Sequence, residues 1–264
     1  MLPYIHIPFW PHQIPTFGLM LWLAAVAAAF ILDRGFKRGK IDADAAGMVA
    51  IAVVAGIVGA KLWHVLDTPL EFREEGWAVL WDSAGFAWFG GLVFGLGALL
   101  LQGWRAGIGA IRILDLASPA AAVGYGIGRI GCFLSGDGCY GVATTMPWGM
   151  AFPNGIEPTL PGVRVQPTPL FELVANVLIG LYLWVRGAKN RPTGWILGEY
   201  LVLSGLARFL VEFIRRNPKI LFGLSNAQLA SLGSVAAGIV IMAWAARHRN
   251  ETVNTQTTAV EHPA

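Results

Sequence analysis

The sequence predicts an all-α protein of the membrane, built as a polytopic bundle of about seven transmembrane helices. Of the 264 residues, 55% are hydrophobic and 13% are charged, whereas soluble domains average about 45–50% and about 25%. The mean hydropathy is +0.58. A spanning helix takes about 20 apolar residues, so seven such helices would use roughly half of the chain and leave no room for a large soluble domain.

Seven apolar windows follow one another along the chain, and each is long enough to cross the core of a bilayer. They cover residues 15–32, 46–66, 84–101, 113–134, 169–185, 194–213 and 227–246. Asp115 and Arg129 interrupt the fourth window, and Glu199, Arg208 and Glu212 interrupt the sixth. For Asp115, a structural bond to a neighbouring helix is the expected role.

The distribution of lysine and arginine predicts the orientation. The loops after windows one, three, five and seven carry eleven of these residues, and the opposite set of segments carries five. Because basic residues concentrate on the cytoplasmic side, the amino terminus is expected on the periplasmic side and the carboxyl terminus in the cytoplasm. The same loops explain a pI near 9.0, so we expect no nucleic-acid partner.

The expected domain organisation is simple. Residues 1–246 form a single transmembrane domain, with a small periplasmic cap at about 135–168, where Gly and Pro are frequent. Residues 247–264 are polar and lack apolar periodicity, which predicts a disordered cytoplasmic tail. The chain has no internal repeat, which counts against a transporter built on inverted repeats.

Charged side chains are expected to gather near the outer face of the bilayer. A charge within a span costs at least about 2.5–3.5 kcal/mol, so it needs a partner or a water-filled cavity. The orientation places seven ionisable groups from four helices at one depth: His64, Arg129, Asp137, Glu172, Arg208, Glu212 and Arg215. Structural roles stay open for some of them. His64 can be a satisfied interface histidine, Arg129 can extend to the interface, and Glu212 can simply neutralise its neighbours.

The arginines in this set point to a phosphate ligand. Arg208, Glu212 and Arg215 are spaced to share one helix face, and arginine pairs bind phosphate through two parallel hydrogen bonds. At the outer leaflet, this chemistry suggests the headgroup of a phospholipid. Cys132 and Cys139 can be small packing residues or a disulfide. No metal-ligand pattern is visible, so we expect neither a metal nor a cofactor.

One segment carries a family resemblance. Residues 128–141, GRIGCFLSGDGCYG, resemble the signature of the prolipoprotein diacylglyceryl transferase family. Six further segments are similar to that family in the same order, and together they span most of the chain. They are FGLMLWL at 17–23, GAKLWHVL at 59–66, FGGLVFG at 89–95, DLASP at 115–119, PTPLFE at 167–172 and ARFLVEFIRR at 207–216.

The resemblance implies a multi-pass enzyme of the bacterial inner membrane. Its partners would be phosphatidylglycerol, the lipobox peptide of a prolipoprotein and the surrounding membrane lipids. It would move diacylglyceryl from the lipid to the lipobox cysteine thiol and release glycerol phosphate. The implied catalytic residues are Arg129, Arg208, Asp137 and His64, with Asp137 or His64 taking the proton. The implied substrate-binding residues are Gly128, Gly131, Glu172, Glu212, Arg215, Phe89, Gly90 and Gly91.

The chain departs from the family pattern at four positions. Phe89 replaces a histidine, Phe17 a tyrosine, Cys132 an asparagine, and Gln166 a histidine. These changes affect the proton-transfer step and leave the arginines in place. Three alternatives therefore stay open: a paralogue with another acceptor, a lipid-binding protein without catalysis, and a transporter of lipids or small solutes.

Overall fold

A computed structural model describes residues 1–6, 13–81, 85–189 and 191–261. The helices in this part of the chain are α1 Thr16–Arg38, α2 Ala45–Asp67, α3 Pro69–Glu75, α4 Trp88–Arg105, α5 Ala110–Ser135, α6 Thr168–Arg186, α7 Trp195–Val211 and α8 Asn226–Glu261. Short 3-10 helices cover Gly76–Leu80 and Glu212–Ile214, and strands β1 Tyr4–Ile5 and β2 Ile14–Pro15 pair antiparallel.

Five of these helices are long and apolar enough to cross a membrane: α1, α2, α5, α6 and the segment Asn226–His248 of α8. The expectation of an all-α, multi-pass membrane bundle is therefore confirmed. The sixth and seventh spans would be α4 and α7, which coincide with predicted windows but do not belong to this set. The helix α4 carries Gln102 and Arg105 in its last turn, and α7 has 17 residues and carries Glu199 and Arg208. The count of seven spans and the sidedness stay predictions.

The chain divides into two compact units. The larger unit contains Met1–Ala28 and Asp115–Ala264, and the smaller unit contains Ala29–Leu114. Within the larger unit, α7 packs along α8 and against α6. Within the smaller unit, α2 packs along α4, and a Cβ atom on Gly95 would come within 3.2 Å of the carbonyl oxygen of Ala52. Small residues thus permit the close helix approach that membrane bundles favour.

Asp115 links α5 to the start of α7. Its two carboxylate oxygens accept hydrogen bonds from the backbone N–H groups of Gly194, at 2.6 Å, and Leu197, at 2.7 Å. The first N–H groups of a helix have no partner within that helix, and the positive end of the helix dipole favours a carboxylate there. Asp115 is buried, so the expected structural bond to a neighbouring helix is confirmed.

Residues 136–167 form an irregular layer with a small apolar core of its own. The rings of Tyr140 and Phe152 stack with centroids 5.0 Å apart, and Val165 packs with them. An isolated β-bridge joins Gly141 to Arg215, the residue directly after the 3-10 helix Glu212–Ile214. This layer corresponds to the cap expected at 135–168, and its periplasmic location stays a prediction.

The last described helix extends into the segment for which a disordered tail is predicted. The helix α8 continues to Glu261, while residues 262–264 lie outside the described part. The boundary at residue 247, and the disorder predicted beyond it, stay predictions.

Replacing Asp115 with alanine should destabilise the larger unit. The change leaves two backbone N–H groups at the buried start of α7 without their charged acceptor, which costs about 2–3 kcal/mol. Thermal unfolding in lipid nanodiscs measures the effect. The matched control is Asp33→Ala, because Asp33 is half-exposed and pairs with Lys37 of the same helix. Equal unfolding temperatures for the two variants would contradict the assigned role of Asp115.

Candidate active site

Glu172 lies in the first turns of α6 and is surrounded by three arginines from different segments. Its carboxylate is 3.2 Å from the nearest nitrogen of Arg208, 3.2 Å from that of Arg215, and 3.5 Å from Nε of Arg129. The hydroxyl of Tyr125 donates a further hydrogen bond at 3.1 Å. The carboxylate of Glu172 on α6 thus connects α5, the end of α7 and Arg215, which follows the 3-10 helix Glu212–Ile214.

Glu212 provides a second carboxylate on the same arginines. Its Oε2 lies 2.8 Å from Nη2 of Arg208 and 3.9 Å from Nε of Arg215. The side chains of Asn217 and Ser225 donate to its Oε1 at 2.6 Å and 2.7 Å. The spacing of Arg208 and Glu212 along one helix face allows the first of these contacts. Glu212 therefore pairs with both of the arginines that were predicted to share its helix face.

The arginine cluster, which comprises Arg129, Arg208 and Arg215, is more accessible than its counter-ions. The two carboxylate side chains are 2% and 0% exposed, whereas the arginine side chains are 12–26% exposed. Three positive charges face two negative ones, which leaves one positive charge in excess. A group approaching from the open side therefore meets guanidinium N–H donors first. This arrangement suits an anion such as a phosphate.

A cavity of about 400 Å³ opens beside the arginine cluster and is lined by Gly138, Tyr140, Arg215, Arg216 and Asn217. The guanidinium of Arg216 lies over the ring of Tyr140, 4.5 Å from its centroid. Among the described residues, no ion pair engages Arg216. The cavity therefore has two arginines on its wall and lies between the cap layer and the end of α7.

The two cysteines and Asp137 form a second group, next to Arg129. Sulfur atoms of Cys132 and Cys139 and a carboxylate oxygen of Asp137 all lie within 4.8 Å of one another. Nη1 of Arg129 is 3.7 Å and 3.9 Å from the two sulfurs. Such a trio can in principle hold a metal ion, but a guanidinium against both sulfurs repels a cation. The expectation of a metal-free protein stays a prediction.

Cys139 has an unusual acidity for a thiol. A hydrogen bond from the Cys132 thiol lowers the pKa of Cys139 to about 7, and Arg215 acts in the same direction. Burial and the negative charge of Asp137 oppose this shift. The backbone N–H of Cys139 also donates to Asp137 Oδ1 at 3.2 Å.

The glycines of the signature segment have different surroundings. A Cβ atom on Gly128 would meet nothing within 4 Å, so space is open beside this residue. A Cβ atom on Gly131 would come within 3.0 Å of the ring of Phe17 on α1. Gly131 therefore permits close packing of α5 on α1, and a direct role in substrate binding stays a prediction.

Four residues of the predicted site belong to the smaller unit. Gly90 lies where α4 crosses α2, and a Cβ atom there would overlap the backbone of Gly59. A Cβ atom on Gly91 would lie 3.6 Å from the carbonyl oxygen of Gly56, so both glycines have a packing role. Phe89 is exposed and contacts the ring of Trp88, and the ring of His64 adjoins Gly85. Their predicted roles in substrate binding and catalysis remain predictions.

The chain matches one known protein family along most of its length. The family model described as prolipoprotein diacylglyceryl transferase matches residues 4–244, which is nearly the whole chain. The chain belongs to the prolipoprotein diacylglyceryl transferase family.

Curated relatives support this membership. Phosphatidylglycerol–prolipoprotein diacylglyceryl transferase 2 of Clostridium perfringens (strain 13 / Type A) is 30% identical over 240 residues, covering 87% of this chain and 90% of the relative. Proteins named phosphatidylglycerol–prolipoprotein diacylglyceryl transferase from Leifsonia xyli subsp. xyli (strain CTCB07) and Solidesulfovibrio magneticus (strain ATCC 700980 / DSM 13731 / RS-1) are 31% and 32% identical. The match to the Leifsonia xyli protein covers 90% of this chain and 76% of that protein. The match to the Solidesulfovibrio magneticus protein covers 91% of this chain and 93% of that protein.

The candidate site of this family member also contains residues that were not predicted from the sequence. Tyr125 contacts Glu172 and also lies under Arg129, whose guanidinium is 4.5 Å from the centre of the ring. Its position four residues before Arg129 on one helix face was the available signal. Asn217 and Ser225 hold Glu212 from a loop and from the residue before α8. No spacing rule could have found those two contacts.

Glu172→Gln should destabilise this family member strongly. The amide keeps the shape of the side chain but leaves three arginines with a single buried carboxylate, and breaking a buried ion pair costs about 3–5 kcal/mol. Thermal unfolding in nanodiscs is the measurement. Glu157→Gln is the matched control, since Glu157 is exposed on the cap layer of the same unit. An unchanged unfolding temperature for Glu172→Gln would show that the arginines do not depend on this charge.

The reduced protein should show a thiol that reacts near neutral pH. The thiolate of Cys139 forms as the pH rises through about 7, and the thiolate is the reactive species. Its alkylation rate by iodoacetamide should therefore be half-maximal near that pH. Cys132→Ala removes the hydrogen-bond donor and should move the midpoint upward. A midpoint of about 8.5, the ordinary value for a thiol, in the parent protein would contradict the assigned hydrogen bond.

Proposed function

We propose that this protein transfers the diacylglyceryl group of phosphatidylglycerol to the thiol of a lipobox cysteine in a prolipoprotein, with glycerol phosphate as the leaving group. The observation that carries the proposal is the arginine cluster, whose guanidinium groups are accessible while their carboxylates are buried. Family membership and the names of the curated relatives support the same reaction.

The reaction needs a stabilised leaving group. The thiolate sulfur forms a bond to the glycerol carbon that carries the phosphate, and the bond from that carbon to the phosphate oxygen breaks. Negative charge grows on the phosphate during this step, so donors fixed around it lower the barrier. We assign this clamp to Arg129 and Arg208, with Glu172 and Glu212 holding their positions. The open space beside Gly128 offers room for the lipid.

Arg215 extends the clamp towards the cavity. It contacts both carboxylates and also lines the cavity with Arg216 and Tyr140. A volume of about 400 Å³ is sufficient for a glycerol phosphate group, because ligand pockets begin at about 300 Å³. The released glycerol phosphate carries more negative charge than the phosphodiester of the lipid. Two arginines on the wall suit that charge.

The proton of the substrate thiol needs an acceptor. Among the residues predicted for this role, Asp137 is favoured, because it belongs to the larger unit with the arginines and lies within 4.8 Å of both cysteine sulfurs. His64 is the second candidate. A positive environment lowers the pKa of a thiol. The arginine cluster would therefore make the substrate thiol easier to deprotonate, whether Asp137 or His64 takes the proton.

For the membrane arrangement, we propose seven spans in the inner membrane of a bacterial cell. The amino terminus and the cap at about 135–168 would lie on the periplasmic side, and the carboxyl terminus would lie in the cytoplasm. The excess of lysine and arginine in alternate loops supports this orientation. The helices α4 and α7 would complete the seven, and the prolipoprotein would approach from the outer side.

Transfer to a lipobox peptide in phosphatidylglycerol nanodiscs tests the function directly. Mass spectrometry should show the peptide heavier by one diacylglyceryl group, together with released glycerol phosphate. Arg129→Ala and Arg208→Ala should each lower the rate by at least about 100-fold, since each removes donors that stabilise the leaving phosphate.

Arg34→Ala is the matched control for these variants and should keep full activity, because Arg34 is exposed and contacts the ring of Phe30. Full activity in both cluster variants would refute the clamp. An unmodified peptide, under conditions in which an active relative modifies it, would point to another acceptor or to lipid binding without catalysis.

A further inference from the structure

The chain has only two cysteines, and both lie beside Arg129. Cys132 is buried in the last turns of α5, and Cys139 is partly buried in the loop that follows. Their sulfur atoms lie within 4.8 Å of each other. Nη1 of Arg129 reaches both, at 3.7 Å and 3.9 Å.

Neither metal binding nor ordinary packing explains this arrangement well. The guanidinium of Arg129 disfavours a cation between the sulfurs, as described above. Simple packing does not require two thiols to meet under one arginine. Reduced thiols in proteins outside the cytoplasm tend to be oxidised, and the basic loops predict that this end of α5 lies on that side.

The local backbone can support a bond between the two sulfurs. The sulfur atoms lie within 4.8 Å of each other, and a disulfide requires an approach to about 2.05 Å, so both side chains must move towards each other. The segment between the cysteines contains Gly136 and Gly138, which have φ angles of 61° and 79°. These left-handed conformations turn the chain back towards α5, which brings Cys139 next to Cys132.

We propose that Cys132 and Cys139 form a reversible disulfide, and that its formation releases Arg129 from the sulfurs so that the guanidinium can bind the substrate phosphate. The S–S bond forms as both S–H bonds break. Two electrons and two protons pass to an oxidant of the disulfide class, which becomes a pair of thiols. The second half of the proposal rests on the function proposed above, and the first half does not.

The effect on Arg129 follows from the strength of hydrogen-bond acceptors. A thiolate at Cys139 carries a full negative charge and competes with phosphate for the guanidinium. A disulfide sulfur is neutral and accepts hydrogen bonds weakly. After oxidation, the guanidinium of Arg129 can therefore bind phosphate together with the other two arginines of the cluster. The acidity of Cys139 makes this competition significant near neutral pH.

Peptide mapping tests the bond without any activity measurement. Full-length protein in nanodiscs is treated with oxidised glutathione, free thiols are blocked with iodoacetamide, and the protein is digested with trypsin. Residues 130–164 lie between successive arginines, so one peptide contains both cysteines. The disulfide predicts an unalkylated peptide lighter than its reduced form by two hydrogen atoms. Two alkylated thiols, or two glutathione adducts, would overturn the proposal.

Activity tests the coupling to Arg129. Oxidised protein should have a KM for phosphatidylglycerol about tenfold lower than reduced protein, which corresponds to the loss of one charged hydrogen bond of about 1.4 kcal/mol. The double variant Cys132→Ser/Cys139→Ser should not respond to reductant. An equal response in that variant, or equal KM values for both forms of the parent, would overturn the coupling.

Failure of the proposed function can be distinguished from failure of the disulfide and of its effect on Arg129. If the oxidised and reduced proteins both leave the lipobox peptide unmodified, the proposed function fails, while the peptide map still decides the disulfide. In that case, binding of inorganic phosphate to the two forms decides the coupling. Tighter binding by the oxidised form supports the release of Arg129, and equal binding refutes it.

Discussion

Two buried carboxylates hold three arginines in place, and much of the larger unit depends on this pairing of opposite charges. Glu172 and Glu212 have almost no exposed surface, so their charges must be matched inside the protein. The matching groups come from α5, from the end of α7 and from Arg215, the residue after the 3-10 helix Glu212–Ile214. Since Arg215 also forms the bridge to Gly141, the cap layer is tied to the same charges. Removing either carboxylate would therefore disturb the helix ends, the cap layer and the cavity together.

Periodicity and charge in the sequence were enough for the helices and for much of the site. Each of the seven apolar windows contains a helix, because a long apolar run has few other stable structures in a membrane. The contact of Arg208 with Glu212 follows from their spacing on one helix. The sequence predicts that Glu172 lies at the same depth as Arg208 and Arg215, but not that it contacts them, because it lies 36 residues from Arg208 and 43 from Arg215 along the chain. Only the packing of α6 beside α7 brings them together.

The differences between expectation and structure have physical reasons. Gly90 and Gly131 belong to family-like segments, yet both permit close helix contacts, and a motif does not distinguish packing from binding. The sequence did not indicate that Asp137 lies with the two cysteines beside Arg129, because this depends on the positive φ angles of Gly136 and Gly138, which fold the loop back. Hydropathy alone could not decide whether α4 and α7 span the membrane, because polar residues lower their apolar character.

The position of Cys139 has a chemical consequence for the proposed reaction, in which the acceptor is itself a thiol. A lipid whose glycerol carbon reacts with a cysteine sulfur does not distinguish the cysteine of a substrate from one in the protein that holds it. A thioether on Cys139 could not be reversed, and each such event would inactivate one enzyme molecule. A site that acts on many acceptors must therefore protect its own sulfur atoms, by geometry or by a bond between them.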